Sequence, residues 1–345
     1  LVGINGTQAL SIAAGHGTYS VGRVQTPTLA MVCERYWENR RFTPEAFWQL
    51  HIATDDCDGD VVKFSSTEKW KAKEPAMELY NKVKEAGFAT VTKAERKEKT
   101  EETPLLYDLT TLQKEANSKH GFTAEQTLEI AQKLYEKKLI TYPRTGSRYI
   151  PEDVFAEIPK LLAFIGTLPE WEGKAKTKAV PTRRSVDGGK VTDHHALLVT
   201  GEKPLFLSKE DSTVYQMIAG RMIEAFSEKC VKDVTNITVE CAGVEFIVKG
   251  SVIRQAGWRA VYGEDKEETT IPGWQEGDTL TLKGLSVTEG KTKPKPLHTE
   301  ATLLSAMETA GKEIEDDALR QAMKDSRHTR LHHRNALQAR LHGTL

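Results

Sequence analysis

The residues best suited to covalent chemistry lie together in Leu139-Ile140-Thr141-Tyr142-Pro143-Arg144-Thr145-Gly146-Ser147-Arg148-Tyr149. A tyrosine hydroxyl, with an ordinary pKa of about 10, is a weak nucleophile until a positive field stabilises its phenolate. Pro143 biases Tyr142 toward an extended backbone. In an extended stretch, residues two apart share a side, so Tyr142 and Arg144 are predicted to face one target. Arginine grips a phosphate bidentately and screens charge building on its oxygens. The pair therefore suits attack on a phosphodiester, with Tyr142 as nucleophile and Arg144 as stabiliser. Thr145 and Ser147 add hydroxyls for contact with a phosphate backbone. A Tyr-Pro turn flanked by surface arginines is nevertheless common, so these residue types alone do not decide the matter.

Other segments could serve the same chemistry. Arg23 and Gln25 precede a predicted helix with Thr26 as its cap and Pro27 in its first turn. Free N–H groups at a helix start suit phosphate, with simple capping as the alternative. In Thr192-Asp193-His194-His195, His194 as a cation could hydrogen-bond a phosphate, with His195 less suited. Glu300 is expected to cap the helix that follows it. Asp56, Asp58 and Asp60 imitate an acidic metal triad, but sit in a short turn between strand candidates, which favours a turn. Between Lys174 and Lys190, six Lys/Arg face one acid, Asp187. That run reads as a solvated loop, with nucleic-acid contact as the alternative. Gly290-Lys291-Thr292 is not a P-loop, because the earlier glycine such a loop needs is replaced by Leu285.

The elements that would position these groups alternate in type. An apolar face of Leu29, Ala30, Val32 and Cys33 predicts a helix after Thr26. Trp48–Thr54 alternates like a strand, and Val61–Phe64 follows as a second. Residues 93–104 read as a charge-rich connector. Asp108 is predicted to cap a helix that Gly121 stops. Thr123-Ala124-Glu125-Gln126 forms a capping box, after which Leu128, Ala131, Leu134 and Tyr135 line one face. Asp211–Lys229 is amphipathic, with Val214, Met217, Ile218, Met222 and Phe226 inward. Strand patterns return at 235–240, 244–248 and 279–282. A stiff basic linker, Lys291–Pro296, leads to helices over 299–310 and 314–324. The order helical, strand, helical, strand, helical suggests one domain nested inside another.

Composition sets bounds. With 345 residues, 39% hydrophobic and 28% charged, the chain suits a globular protein of two or three domains. No apolar run is long enough for a transmembrane helix. A net charge of −1 is low for a binder of phosphate backbones. Cys33, Cys57, Cys230 and Cys241 form no CxxC pair and read as free thiols of a reducing cytoplasm. The chain starts at Leu1 without an initiator Met or a visible secretory signal, and is expected to be a fragment.

Five segments, in order, resemble the type IA DNA topoisomerases, in their topoisomerase III branch. Gly22-Arg23-Val24-Gln25 resembles the motif before the gate helix. Pro104–Gln113 resembles the start of the tyrosine-bearing domain. Tyr142–Ser147 is similar to Tyr-Pro-Arg-Thr-Asp-Ser, with Gly146 in place of Asp. Thr192–Leu198 is similar to Thr-Asp-His-His-Ala-Ile-Ile, and Thr299–Leu304 to the motif opening the last helical segment. The resemblance implies an α+β torus. Residues 1–45 and 294–345 would form a helical gate domain, 46–103 and 233–293 a strand-rich arch, and 104–232 a winged-helix-like domain bearing the tyrosine. It also implies cleavage and rejoining of single DNA strands through a 5′-phosphotyrosyl link, without ATP, by a monomer in the bacterial cytoplasm, associated with the nucleoid. Tyr142 and Arg144 would be catalytic, and Arg23, Gln25, Thr145, Ser147 and His194 would bind DNA.

Two departures qualify that picture. The family opens with a Toprim domain that holds Mg²⁺ on acidic residues, and this chain is expected to begin after it and to lack those ligands. After Ser326 the family's glycine-rich pattern is absent, and Arg327–Ala336 suggests a local frame disruption. The alternative function is a single-stranded DNA-binding module without cleavage. A relaxase would need a His-hydrophobe-His cluster, and a tyrosine recombinase a tyrosine near its C-terminus after the Arg/His cluster. The chain shows neither.

Overall fold

The computed structural model describes residues 1–22, 24–55, 61–173, 182–263 and 269–309. In chain order its helices and strands are α1 (Val2–Ala14), α2 (Gln25–Arg41), β1 (Ala46–Asp55), β2 (Val61–Ser66), α3 (Lys73–Ala86), β3 (Phe88–Glu101), α4 (Leu109–His120), α5 (Ala124–Glu136), α6 (Glu152–Ile165), α7 (Lys209–Phe226), β4 (Cys230–Cys241), β5 (Val244–Gln255), β6 (Thr279–Lys291) and α8 (Glu300–Thr309). The expected α+β content is present. Arg23, the Asp56/Asp58/Asp60 turn, Lys174–Lys178, the helix expected over 314–324 and the tail after Ser326 lie outside the described residues. The chain divides into two compact units. One comprises Leu1–Arg41, Pro104–Phe226 and Lys295–Leu345; the other comprises Phe42–Thr103 and Ser227–Pro294.

The second unit is a closed antiparallel barrel in the order β1-β2-β5-β4-β3-β6. Closure removes the free strand edges that would otherwise invite pairing with another chain. Period-two alternation puts Leu50 and Ile52 of β1, Phe64 of β2, Ile237 and Val239 of β4 and Phe246 of β5 in the core. Ala76 and Val83 of α3 join them. Gly290 stands opposite Phe47 across β1 and β6. A Cβ there would lie 2.4 Å from the Phe47 ring, so only glycine leaves room for it.

The charge-rich connector expected over 93–104 is instead largely strand. Residues 93–101 of β3 pair with β4 from Lys93↔Thr238 to Glu101↔Cys230. This ladder is held by backbone hydrogen bonds. Side-chain patterning reports burial, so it misses a strand whose side chains stay in water. Charges on this stretch settle locally: Lys93 pairs with Glu95 at 2.8 Å, and Arg259 with Glu101 at 2.7 Å. The helix α3, unread in the sequence, ends at Gly87 with φ 72°.

In the first unit, α7 is the central element, burying Val214, Met217, Ile218, Met222 and Phe226 as predicted. Asp108 caps α4, accepting from the Thr111 N–H at 2.7 Å, and Gly121 ends it at φ 72°. The Thr123/Gln126 capping box is complete. One other expectation is corrected. Thr26 does not cap α2: the helix starts at Gln25, and the Thr26 hydroxyl accepts from the Gly22 N–H at 3.2 Å. The helix predicted from Leu29, Ala30, Val32 and Cys33 is present as α2, and its apolar face stays accessible, with Leu29 63% and Val32 39% exposed.

Replacing Phe246 with Ala should destabilise the barrel by about 3–5 kcal/mol, because a fully buried ring leaves a cavity that a closed sheet cannot collapse. Urea unfolding checks this; a loss below about 1 kcal/mol would contradict the packing described.

Candidate active site around Tyr142

The α5 helix delivers the chain to Tyr142 through a tight exit. Lys138 takes φ 60°, and its N–H donates to the Tyr135 carbonyl at 2.8 Å. The next residues pair with the segment after the histidines. Ile140 bridges Val199, the Thr141 N–H donates to the Leu198 carbonyl at 2.9 Å, and the Leu198 N–H donates to the Thr141 hydroxyl at 3.0 Å. Tyr142 follows in the loop, half-buried. Its ring contacts two others. Tyr135 meets it edge-on, with centroids 5.4 Å apart and planes at 77°, and His194 lies 4.6 Å away at 52°. The fold thus joins the two residues singled out in separate motifs. Arg144 is half-buried two positions on, and Gly146 is exposed.

Thr145 and Ser147 do a different job from the one expected. Both are buried, at 4% and 3% exposure. The Thr145 hydroxyl donates to the His194 carbonyl at 2.8 Å and accepts from the Ser147 N–H at 3.1 Å. The Ser147 hydroxyl donates to the Lys190 carbonyl at 3.0 Å. Small hydroxyl residues fit where two loops must be stitched together in a dry space. Their expected contact with a phosphate backbone is therefore replaced by a tie between the tyrosine loop and the histidine loop. His194 itself is exposed, while the His195 ring nitrogen Nδ1 lies 2.7 Å from the Ala196 carbonyl.

Gln25 uses its side-chain oxygen to accept from the Ser20 hydroxyl at 2.9 Å. Its amide nitrogen is shielded from solvent without a partner among the described residues. Glu300 caps a different helix from the one expected. Its carboxylate accepts from the Ala124 N–H at 2.6 Å, at the start of α5, while Thr299 caps α8. Asn117 of α4 in turn accepts from the Ala301 N–H at 3.1 Å, at the start of α8. In the basic run, Arg183 pairs with Glu152, and Lys190 with Asp187 at 2.8 Å. Among the described residues no group of three His, Cys, Asp or Glu side chains is placed to hold a metal ion.

Beneath the loop lies a charge cluster that sequence reasoning missed. Arg221 of α7 donates to Glu224 at 2.8 Å, to Glu115 of α4 at 2.5 Å and to the Leu105 carbonyl at 3.3 Å. Its guanidinium lies 4.1 Å from the centroid of the Tyr107 ring, whose hydroxyl donates to Glu115 at 2.6 Å. Arg148, from the tyrosine loop, donates to the carbonyls of Leu106 and Leu105. The 105–109 segment also supports both loops directly: Tyr107 accepts from the Leu197 N–H, and the Leu109 N–H donates to the Thr145 carbonyl. The available signal was Arg221 and Glu224 breaking an otherwise apolar stripe on α7.

The electrostatics follow from burial against pairing. Burial pushes the Glu115 carboxyl up, but the Arg221 charge and the Tyr107 hydroxyl outweigh it and hold the group below its ordinary value. Glu224 has less help, and burial leaves it raised despite Arg221. Burial favours loss of the Arg221 proton, yet Tyr107, Glu115 and Glu224 more than compensate, so it stays charged.

A family model described as DNA topoisomerase matches residues 1–314. The chain is 35% identical over 323 residues to DNA topoisomerase 3 of Bacillus subtilis, covering 89% of this chain and 44% of that protein. It is 36% identical over 327 residues to DNA topoisomerase 3 of Bacillus licheniformis, covering 89% and 44%. The chain thus spans less than half the length of these relatives. The solved structure of full-length topoisomerase I from Thermotoga maritima is similar in fold, with a TM-score of 0.67 and 23% identity over 91% of this chain and 52% of that one.

Substituting Met for Arg221 should cost about 3–5 kcal/mol at neutral pH, because two carboxylates then lose a shared buried cation. The deficit should narrow on acidification, because without the cation burial raises both carboxyls and they take up protons, shedding the unpaired charge. In the native protein the sign for Glu115 is the reverse. Its lowered pKa gives stability above an unfolded value of about 4.3 that disappears as pH falls through its folded value. Unfolding free energies of both proteins across pH 3–8 test this; a deficit that widens in acid would contradict it.

Proposed function

The chain belongs to the type IA DNA topoisomerase family, and from that premise we propose that Tyr142 is the residue that cuts and rejoins one DNA strand in a topoisomerase III. The observation that carries this reading is the half-buried Tyr142 ring held 4.6 Å from His194. The Tyr142 oxygen attacks the phosphorus, a P–O bond to Tyr142 forms, and the P–O3′ bond breaks. One end keeps a 3′ hydroxyl and the other a 5′-phosphotyrosyl link. The proton lost by the phenol is matched by the one gained at the 3′ oxygen. Rejoining is the reverse. One phosphodiester is exchanged for another, so no ATP is consumed.

Each residue has a role in that exchange. Arg144 holds the phosphate and offsets charge on its oxygens. His194, exposed beside the phenol, donates to the same phosphate as a cation. Arg23 and Gln25 take DNA phosphates near the start of α2. Thr145 and Ser147 act by keeping the two loops together. The barrel is the candidate for the arch, and the segment from 104 is the candidate winged-helix-like body of a torus. The substrate is single-stranded DNA in the bacterial cytoplasm, at the nucleoid, and the protein acts as a monomer. Mg²⁺ is proposed for the longer protein; the described residues offer no ligand set for it, and no step here passes through it.

A second reading concerns these 345 residues alone. Because they span 44% of the Bacillus subtilis relative, they are proposed to bind single-stranded DNA without cutting it. Covalent adducts formed by the purified chain with Mg²⁺ would overturn that reading.

In the full-length polypeptide, Tyr142→Phe should abolish detergent-resistant DNA adducts, and Arg144→Ala should slow cleavage about 10²- to 10³-fold. Undiminished adducts with Tyr142→Phe would refute the nucleophile.

A further inference from the structure

The sequence pattern puts Tyr135 on the buried face of α5, with Leu128, Ala131 and Leu134. The three aliphatic residues are buried there, but Tyr135 stays 40% exposed. A lone exposed tyrosine needs no explanation. This one touches the candidate nucleophile edge-on, with ring centroids 5.4 Å apart. Near it in the chain, Lys133, Lys137 and Lys138 are all exposed around the end of α5, against one exposed acid, Glu136. After the helix ends at Glu136, Lys138 makes a left-handed turn at φ 60°, its N–H on the Tyr135 carbonyl. Lys137 is tied only loosely, 4.0 Å from Asp211.

We infer that the exposed ring of Tyr135 is a stacking platform for an unpaired nucleobase, next to the phosphate offered to Tyr142. The inference rests on the DNA reading above and extends it to a base contact. An aromatic face flanked by cations is what a single strand requires: cations follow the phosphates, and the ring takes any base by its π-face. A base inside a duplex already has neighbours on both faces, so the platform selects unpaired strands. Because stacking is indifferent to base identity, the contact fixes where the strand sits without imposing a sequence.

The test is equilibrium binding of the full 345-residue chain to oligothymidine and to an abasic oligomer of the same length and charge. Tyr135→Ala should weaken oligothymidine binding about tenfold, and Tyr135→Phe should leave it unchanged. All three proteins should bind the abasic oligomer equally, with the same salt slope, since phosphate contacts are untouched. Equal affinity of the native chain and Tyr135→Ala for oligothymidine would overturn the proposal. So would an equal loss on the abasic oligomer, which would make Tyr135 a positioning ring for Tyr142. A native chain with no affinity for either oligomer would refute the DNA reading of the chain itself. The Tyr135→Phe control and a matched thermal melt separate all of these from misfolding.

Discussion

The arrangement depends on two loops being held against each other. Tyr142 and His194 come from distant parts of the chain, and neither lies in a regular element. What brings their rings together is the pairing of 139–141 with 198–200, closed by the Thr145 hydroxyl on the His194 carbonyl. A phenol in such a frame loses little further freedom when it meets a phosphorus atom, which is the advantage of a positioned nucleophile. The same frame keeps His194 exposed, so a charged strand could reach it.

Below the loops, the structure accepts a costly device. Burying Arg221 with two carboxylates is no obvious gain over apolar packing. Its geometry gives the cluster a specific purpose, however. Arg221 and Arg148 converge on the carbonyls of Leu105 and Leu106, and that segment contacts both loops. Directional hydrogen bonds fix the register of an irregular segment in a way that interchangeable aliphatic contacts do not. Capping across three helices follows the same logic: Glu300 of α8 caps α5 and Asn117 of α4 caps α8, so polar side chains satisfy helix ends and fix their mutual placement.

Much of this was legible in the sequence where one residue type has one local use. The Asp108 cap, the Thr123/Gln126 box and the apolar stripe of α7 were read correctly because each depends on neighbours in the chain. Tyr142 and His194 were singled out in separate motifs, and the fold supplied their proximity. Illegible were features set by distant partners. The β3 stretch over 93–101 is a strand because β4 lies beside it. Thr145 and Ser147 looked like ligand-facing hydroxyls because a sequence does not show which side of a loop is dry. Glu300 sits where a cap is needed, but the helix it caps is α5, brought there by tertiary packing. Arg221 was passed over because a single charge on an apolar stripe reads as noise until its partners are seen.

The most direct measurement is to trap the cleavage complex of the full-length polypeptide on a labelled single strand, digest it, and identify the peptide that carries the 5′ nucleotide. The account predicts one modified residue, Tyr142. A nucleotide on any other side chain, or on no side chain while strands are still cut, would contradict it.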